Sequence, residues 1–311
     1  MEQGFGGIKP SILETIGNTP AVRLNRMPGP SDAEVLVKIE YFNPGSSVKD
    51  RPALSMVEAA QRDGKLKPGG TIVEHTSGNM GIGLALVAAV RGYEIILTMP
   101  ESFSVERRKI LSALGAKIIL TESAKGMAGA VAKAGEIVAQ NSGFFMPQQF
   151  NNPANVEVHA RTTAREILRD AAPLDAFVAG IGTGGTISGV GAVLKKESPQ
   201  TRVIAVEPAS SPVLSGGKAS PHKIQGIGAG FVPAILRREV IDEIIAVSDG
   251  DALSTARRLA KEEGILGGIS SGANAWAALE VSRRLGKGKR VLTMLPDTAE
   301  RYMSTALFEG A

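Results

Sequence analysis

Asn43-Pro44-Gly45-Ser46-Ser47-Val48-Lys49-Asp50-Arg51 sets a lysine after a turn, where an apolar strand gives way to a helical stretch. The start of a helix carries positive potential and opposes a cation. A lysine held there is expected to have a lowered pKa or to carry its nitrogen in a Schiff base, rather than to serve as a surface charge. Gly180-Ile181-Gly182-Thr183-Gly184-Gly185-Thr186 follows a strand and opens a helix, so its N–H groups and the helix start together suit a phosphate. The same run fits G-x-G-x-x-G, and Glu207 ends the next strand where a ribose-binding acid would stand; a dinucleotide site and a ligand-free tight turn therefore stay open beside the phosphate reading. Gly268-Ile269-Ser270-Ser271-Gly272 fits the nucleophile elbow G-x-S-x-G, with Asp297 as a candidate acid, but no histidine follows Ser270 to act as base. In Thr76-Ser77-Gly78-Asn79-Met80-Gly81, hydroxyls, an amide and free N–H groups form a donor-rich nest for a carboxylate. Helix capping by Ser77 or Asn79 would use the same residues.

These segments need strands and helices to hold them. Short β-rich runs predict strands at Val35 to Phe42, Thr71 to His75, Glu94 to Met99, Lys117 to Thr121, Ala176 to Ile181, Arg202 to Val206, Glu243 to Val247 and Arg290 to Leu295. Helical patterns fit Val48 to Arg62, Met80 to Arg91, Ser104 to Leu114, Met127 to Gln140, Pro153 to Arg169, Thr186 to Lys195, Asp249 to Glu263 and Gly272 to Leu285. The alternation predicts an α/β protein, with mostly parallel sheets covered by helices on both faces. The units from Thr71 to Gln140 form one run and those after Asn151 another, so two lobes with a cleft are expected: residues 45–150, and residues 1–44 with 151–311. Ser248, Asp249 and Asp251 place acceptors for the first turn of one helix. The tract Pro208 to Pro233, rich in Ser, Gly and Pro, is long enough to be a functional loop.

Composition narrows the classes. The 311 residues, 43% hydrophobic and 21% charged, fit a globular protein rather than a disordered or fibrous one. The net charge of +4 is scattered, giving no basic stripe for nucleic acid. No apolar run approaches the length needed to span a bilayer, no leader-like segment opens the chain, and the cytoplasm is the expected compartment. Without cysteine there is no disulfide frame or thiolate, and with only His75, His159 and His222 no metal site is expected.

Taken together, the four motifs resemble the fold-type II pyridoxal-phosphate enzymes, and within them the cysteine synthases (O-acetylserine sulfhydrylases). The likeness runs from Ile16-Gly17-Asn18-Thr19-Pro20 to Glu300-Arg301-Tyr302-Met303-Ser304-Thr305. It implies a two-lobed fold and pyridoxal 5'-phosphate as cofactor. Lys49 would form the internal aldimine and act as base, Asn79 would bind the ring hydroxyl, Gly182, Thr183, Gly184, Gly185 and Thr186 would cradle the phosphate, and Ser270 would face the ring nitrogen. Thr76, Ser77, Asn79 and Gln148 would bind the substrate carboxylate, and Gly226 would face its amine. The reaction implied is β-replacement: acetate leaves O-acetyl-L-serine, an α-aminoacrylate remains, and sulfide adds to give L-cysteine, while the smaller lobe closes over the carboxylate. The resemblance also implies a homodimer and the C-terminal tail of serine acetyltransferase as a partner.

The chain departs from the family pattern at three places. Met80 replaces the common Thr and resembles β-cyanoalanine synthases, His75 replaces a common Pro, and Pro296-Asp297-Thr298-Ala299 replaces Pro-Ser-x-Gly. The alternatives carried forward are a β-cyanoalanine synthase, a short enzyme resembling cystathionine β-synthase and, from another class, an NAD-dependent dehydrogenase.

Overall fold

The structure is a computed structural model describing residues 7–76, 78–101 and 105–309. Along the chain run β1 (Ala21–Arg23), β2 (Glu34–Ile39), α1 (Asp50–Arg62), β3 (Thr71–His75), α2 (Asn79–Arg91), β4 (Glu94–Pro100), α3 (Val105–Ala113), β5 (Lys117–Thr121) and α4 (Gly126–Gln140). They are followed by α5 (Ala154–Val158), α6 (Ala164–Ala171), β6 (Ala176–Gly180), α7 (Gly185–Glu197), β7 (Arg202–Pro208), β8 (Glu243–Val247), α8 (Asp249–Glu263), α9 (Ile269–Leu285) and β9 (Arg290–Leu295).

Two sheets result. One is three-stranded and wholly parallel, in the order β3-β4-β5. The other is six-stranded, in the order β1-β2-β9-β6-β7-β8, and is parallel except for the β1–β2 pair. The period of two in each strand sends successive side chains to opposite faces, and both faces are covered. In the small sheet Ile72, Ile95 and Leu97 pack towards α1 and α2, while Val73, Ile96 and Ile119 pack with Ala134 and Ile137 of α4. In the large sheet Val35, Val178, Ile204 and Val291 pack with α8 and α9, and Phe177, Ala179, Val203 and Leu292 with α6 and α7.

The boundaries differ from expectation where polar contacts intervene. The first predicted strand stops at Ile39, because residues 40–42 turn in a short 3-10 helix that buries Glu40 against Arg51. The predicted helix over Pro153 to Arg169 is interrupted by a π-helical turn at His159–Thr163. There α7 approaches so closely that a Cβ on Gly189 would lie 2.4 Å from the carbonyl oxygen of Val156. The edge strand β1, of three residues, was not expected. Ser248 caps α8 by accepting from Asp251 N–H at 3.0 Å, as its spacing suggests. Ser104 lies outside the described residues.

Candidate active site

A cleft of about 840 Å³ lies between the ends of the two sheets. Lys49 reaches it from the position that caps α1, as the turn-helix spacing predicts. Among the described residues none gives its ammonium a hydrogen bond or an ion pair. Desolvation by the surrounding protein pushes its pKa down, and the charge of Asp297 opposes that only in part. The result is an amine whose charged form is less favoured than it would be in water.

The start of α1 is held from below by a buried ionic network. Arg51, two residues past Lys49, donates to Glu166 through two nitrogens at 2.6 and 2.7 Å, and from Nε to Glu40 at 2.7 Å. Lys38 Nζ lies 2.7 Å from Glu166. Burial alone would raise the Glu166 carboxyl, but Arg51 and Lys38 hold it well below its usual range. The segment after Ile16 is fastened into the same network. Gly17 N–H donates to Asn43 Oδ1, Asn18 N–H to Glu166, and the Thr19 hydroxyl to Glu40. The sequence marked this segment only by resemblance; its function in the fold is to seat the turn that carries Lys49.

The glycine loop after β6 lines the opposite side. A Cβ on Gly182 would stand 2.3 Å from the Gly226 carbonyl oxygen, one on Gly185 would stand 2.2 Å from Asn155 Oδ1, and Gly184 has φ +82°. Each position therefore admits only glycine without displacement. The Thr183 hydroxyl accepts from Asn155 Nδ2 at 3.1 Å and from Gly185 N–H at 3.3 Å. Thr186 Oγ1 lies 3.2 Å from Nε2 of His159 on the π-helical turn.

Thr76, Gly78, Asn79 and Met80 line the cleft at the start of α2. Thr76 Oγ1 accepts from Gly78 N–H at 3.3 Å. The side chain of Asn79 does not cap its helix. Its Nδ2 donates to Asp297 Oδ2 at 2.6 Å and its Oδ1 accepts from Arg301. Ser270, in the first turn of α9, and Gly226 face one another across the cleft floor, the serine Oγ 3.6 Å from where a Gly226 Cβ would stand. Ser77 lies outside the described residues.

Two expectations need correction. Gln148 is exposed and lines a separate cavity of about 570 Å³, with its N–H donating to Glu74 at 2.9 Å; its neighbour Gln149, 8% exposed, lines the cleft instead. Gln148 adopts φ +54° and its carbonyl accepts from the N–H groups of Asn151 and Asn152, so the chain turns at these two glutamines and spacing alone does not choose between them. Glu207 is not free to bind a ribose. It is 1% exposed and accepts from Leu214 N–H, Ser215 N–H and the Ser215 hydroxyl, fastening the loop that carries Gly226. The dinucleotide reading therefore loses its acid.

Sequence reasoning also missed Glu74 and Arg107 as parts of this region, and marked His75 only as a departure from the family pattern. The buried Glu74 carboxyl is pushed up to about 7 by desolvation, against the N–H donors of His75, Gln148 and Gln149. His75 Nδ1 lies 3.1 Å from it. Arg107 of α3 donates to Gln225 Oε1 at 2.8 Å and lies 5.4 Å from the Tyr302 ring centroid, joining the small sheet's layer to the loop and to the C-terminal segment.

A recessed amine and a glycine-built anion cradle lining one cleft, with a helix-start serine on its floor, fit an enzyme that takes up a phosphorylated aldehyde. The chain belongs to the pyridoxal-phosphate dependent enzyme family, whose model matches residues 12–297. It is 55% identical over 300 residues to a cysteine synthase of Staphylococcus aureus, covering 96% of each chain. Among solved structures, an O-ureido-L-serine synthase is 50% identical with a TM-score of 0.95, over 98% of this chain and 96% of that one. A cysteine synthase from Entamoeba histolytica is 43% identical with a TM-score of 0.96, over 100% and 94%.

Proposed function

We infer that this protein is a cysteine synthase that replaces the acetate of O-acetyl-L-serine with sulfide. The observation that carries the reading is the Lys49 amine, desolvated and opposite the Gly182–Thr186 cradle. The residues fit pyridoxal phosphate: the cradle leaves room at its glycines for backbone N–H groups alone, and burial shifts Lys49 towards the neutral form that Schiff-base chemistry needs. Bound pyridoxal phosphate supplies an electron sink for charge developing at the amino acid's α-carbon.

The chain's own groups do the rest. Gly182, Thr183, Gly184, Gly185 and Thr186 would hold the phosphate at the start of α7, where the helix favours negative charge. Asn79 would donate to the ring hydroxyl oxygen. Ser270, a neutral hydroxyl, would meet the ring nitrogen and leave it without the full positive charge that a carboxylate would stabilise. Thr76, Ser77, Asn79 and Gln149, the last in place of Gln148, would receive the substrate carboxylate, and Gly226 would face its amine. Lys49 Nζ, once released from the cofactor, would take the proton from the α-carbon as a general base, a role its lowered pKa suits.

The same reading makes residues 45–150 a lobe that closes over the substrate, the protein a cytoplasmic homodimer, and the cleft a receptor for the C-terminal tail of serine acetyltransferase. What supports these is the family resemblance, with the Thr76 to Asn79 loop for the tail. No helix among the described residues is long and apolar enough to cross a membrane. Sedimentation of the purified protein and competition by the tail peptide check assembly and partner.

The deciding experiment records the absorption spectrum of protein loaded with pyridoxal phosphate, before and after O-acetylserine and then sulfide, with cysteine quantified. A visible band that changes with O-acetylserine and returns with sulfide as cysteine forms is expected, with Lys49→Ala showing neither. A wild-type protein that remains colourless, or that consumes no O-acetylserine, refutes the reading.

A further inference from the structure

Asp297 is a carboxylate buried to 1% exposure on the wall of the cleft, and neither the cradle nor the base uses it. Its backbone ties two parts of the site together. It bridges Ser47 in the lysine turn and accepts from Gly268 N–H at the start of α9. Its side chain is divided. Oδ2 accepts from Asn79 Nδ2 at 2.6 Å and from the Tyr302 hydroxyl at 2.5 Å, while Oδ1 has no hydrogen-bond partner among the described residues. Oδ1 packs against Gly268, where any Cβ would come within 2.2 Å of it, so it rests at the start of the 17-residue α9, whose N-terminal potential favours negative charge.

An amide has two ends that differ in kind, and a carboxylate can accept only from the nitrogen. On the other flank of Asn79, Arg301 can only donate, and it donates to Oδ1. Turning the amide over would set oxygen against carboxylate and NH2 against guanidinium. The two flanks therefore allow one orientation, and the second N–H of Nδ2 is left for another acceptor. A serine at position 297 could donate or accept and would make no such choice. We propose that Asp297 is a positioning residue that, with Arg301, locks the Asn79 amide in the orientation that donates to the ring hydroxyl oxygen of pyridoxal phosphate. This rests on the cofactor assignment above.

The test loads cofactor-free protein with pyridoxal phosphate and reads two quantities, the dissociation constant and the ratio of visible to near-ultraviolet absorbance of the bound cofactor. Donation to the ring oxygen favours its ionised form and the visible band. One hydrogen bond lost or misdirected corresponds to about 5- to 10-fold in affinity. Asp297→Ala and Asn79→Ala are each expected to show that loss and a shift of absorbance to the near-ultraviolet, and the double variant to be no worse than Asn79→Ala alone. Asp297→Asn, which can still present an oxygen to Asn79, is expected within about 2-fold of wild type on the same scale. If Asp297→Ala does not fold, Arg301→Met removes the other flank and is expected to shift the spectrum in the same direction only when Asn79 is present.

An Asp297→Ala effect that persists in full without Asn79 overturns the proposal, as does a spectrum and affinity unchanged in Asp297→Ala or, in its stead, Arg301→Met. Failure of the wild-type protein to take up pyridoxal phosphate is a separate result; it refutes the cofactor assignment and the proposal with it.

Discussion

Replacing Gly182 with alanine tests the cradle directly. The added Cβ would lie 2.3 Å from the Gly226 carbonyl oxygen, 3.4 Å from its carbon and 3.9 Å from Ile227 Cα. A carbon–oxygen contact normally sits near ~3.4 Å, so one loop must retreat by roughly 1 Å. Neither can retreat freely. The Gly228 N–H donates to the Ile181 carbonyl at 2.9 Å, immediately beside Gly182, and a shift of that size breaks the bond. Overpacking of this kind costs about 1–3 kcal/mol, and the lost hydrogen bond adds about 1. A total of about 2–4 kcal/mol corresponds to roughly 30- to 1,000-fold in affinity. Because the displaced backbone lines the cleft, the loss is expected in cofactor binding. The assay titrates pyridoxal phosphate into cofactor-free protein and follows thermal melting in parallel. Gly135→Ala is the control: apart from its chain neighbours and the backbone of its own helix, no heavy atom among the described residues lies within 4 Å of where a Cβ would stand, it sits inside α4, and it should gain about 0.5–1 kcal/mol with unchanged affinity. Cofactor affinity of Gly182→Ala within 3-fold of wild type, on the order of 0.6 kcal/mol, would refute the close-approach argument.

Two further outcomes follow from buried charge. Arg51→Met leaves Glu40 and Glu166 without their shared partner and should cost about 3–5 kcal/mol in urea unfolding, a loss under about 1 kcal/mol showing that the network is not what seats α1. Glu74, raised from 4.5 to about 7 by burial, keeps its proton in the folded chain after the unfolded chain has lost it, so its contribution to stability falls as pH rises from 4.5 to 7. The drop is on the order of 3 kcal/mol, and the difference between wild type and Glu74→Gln should carry it, since His75, His159 and Asp50 remain in both chains. A difference that is flat across that window would show that Glu74 is ionised in the fold at acid pH.

Much of the architecture is legible in local pattern. The β3 and β9 ranges read from apolar runs coincide with those observed, because strands buried on both faces leave continuous signals. Lys49 is found at the helix start where the turn before it and the pattern after it meet. What local pattern does not carry is which strand lies beside which: β2 lies against β9, whose residues are more than 250 positions away. Long-range polar contacts were equally silent. Nothing near Glu166 or Lys38 in sequence indicates that they converge on Arg51, and nothing in Gln148-Gln149 says which side chain turns inward. Glu207 shows the converse, a residue whose position fits a motif while its carboxylate is occupied by the loop that follows.

The strand order also bears on how the chain is made. Synthesis from the N-terminus delivers β3, β4 and β5 one after another, each beside the strand it pairs with, so the small sheet is complete in outline by residue 121. The large sheet cannot follow that course. β2 emerges early with only the short β1 for company, β6 and β7 appear later on their own, and β9 is the strand that joins the two halves. Until it arrives, β2 and β6 each present an open edge to the cell. A ribosome paused before residue 290 therefore holds a nascent chain with one finished sheet and two unsatisfied ones, a species with the exposed strand edges that chaperones bind.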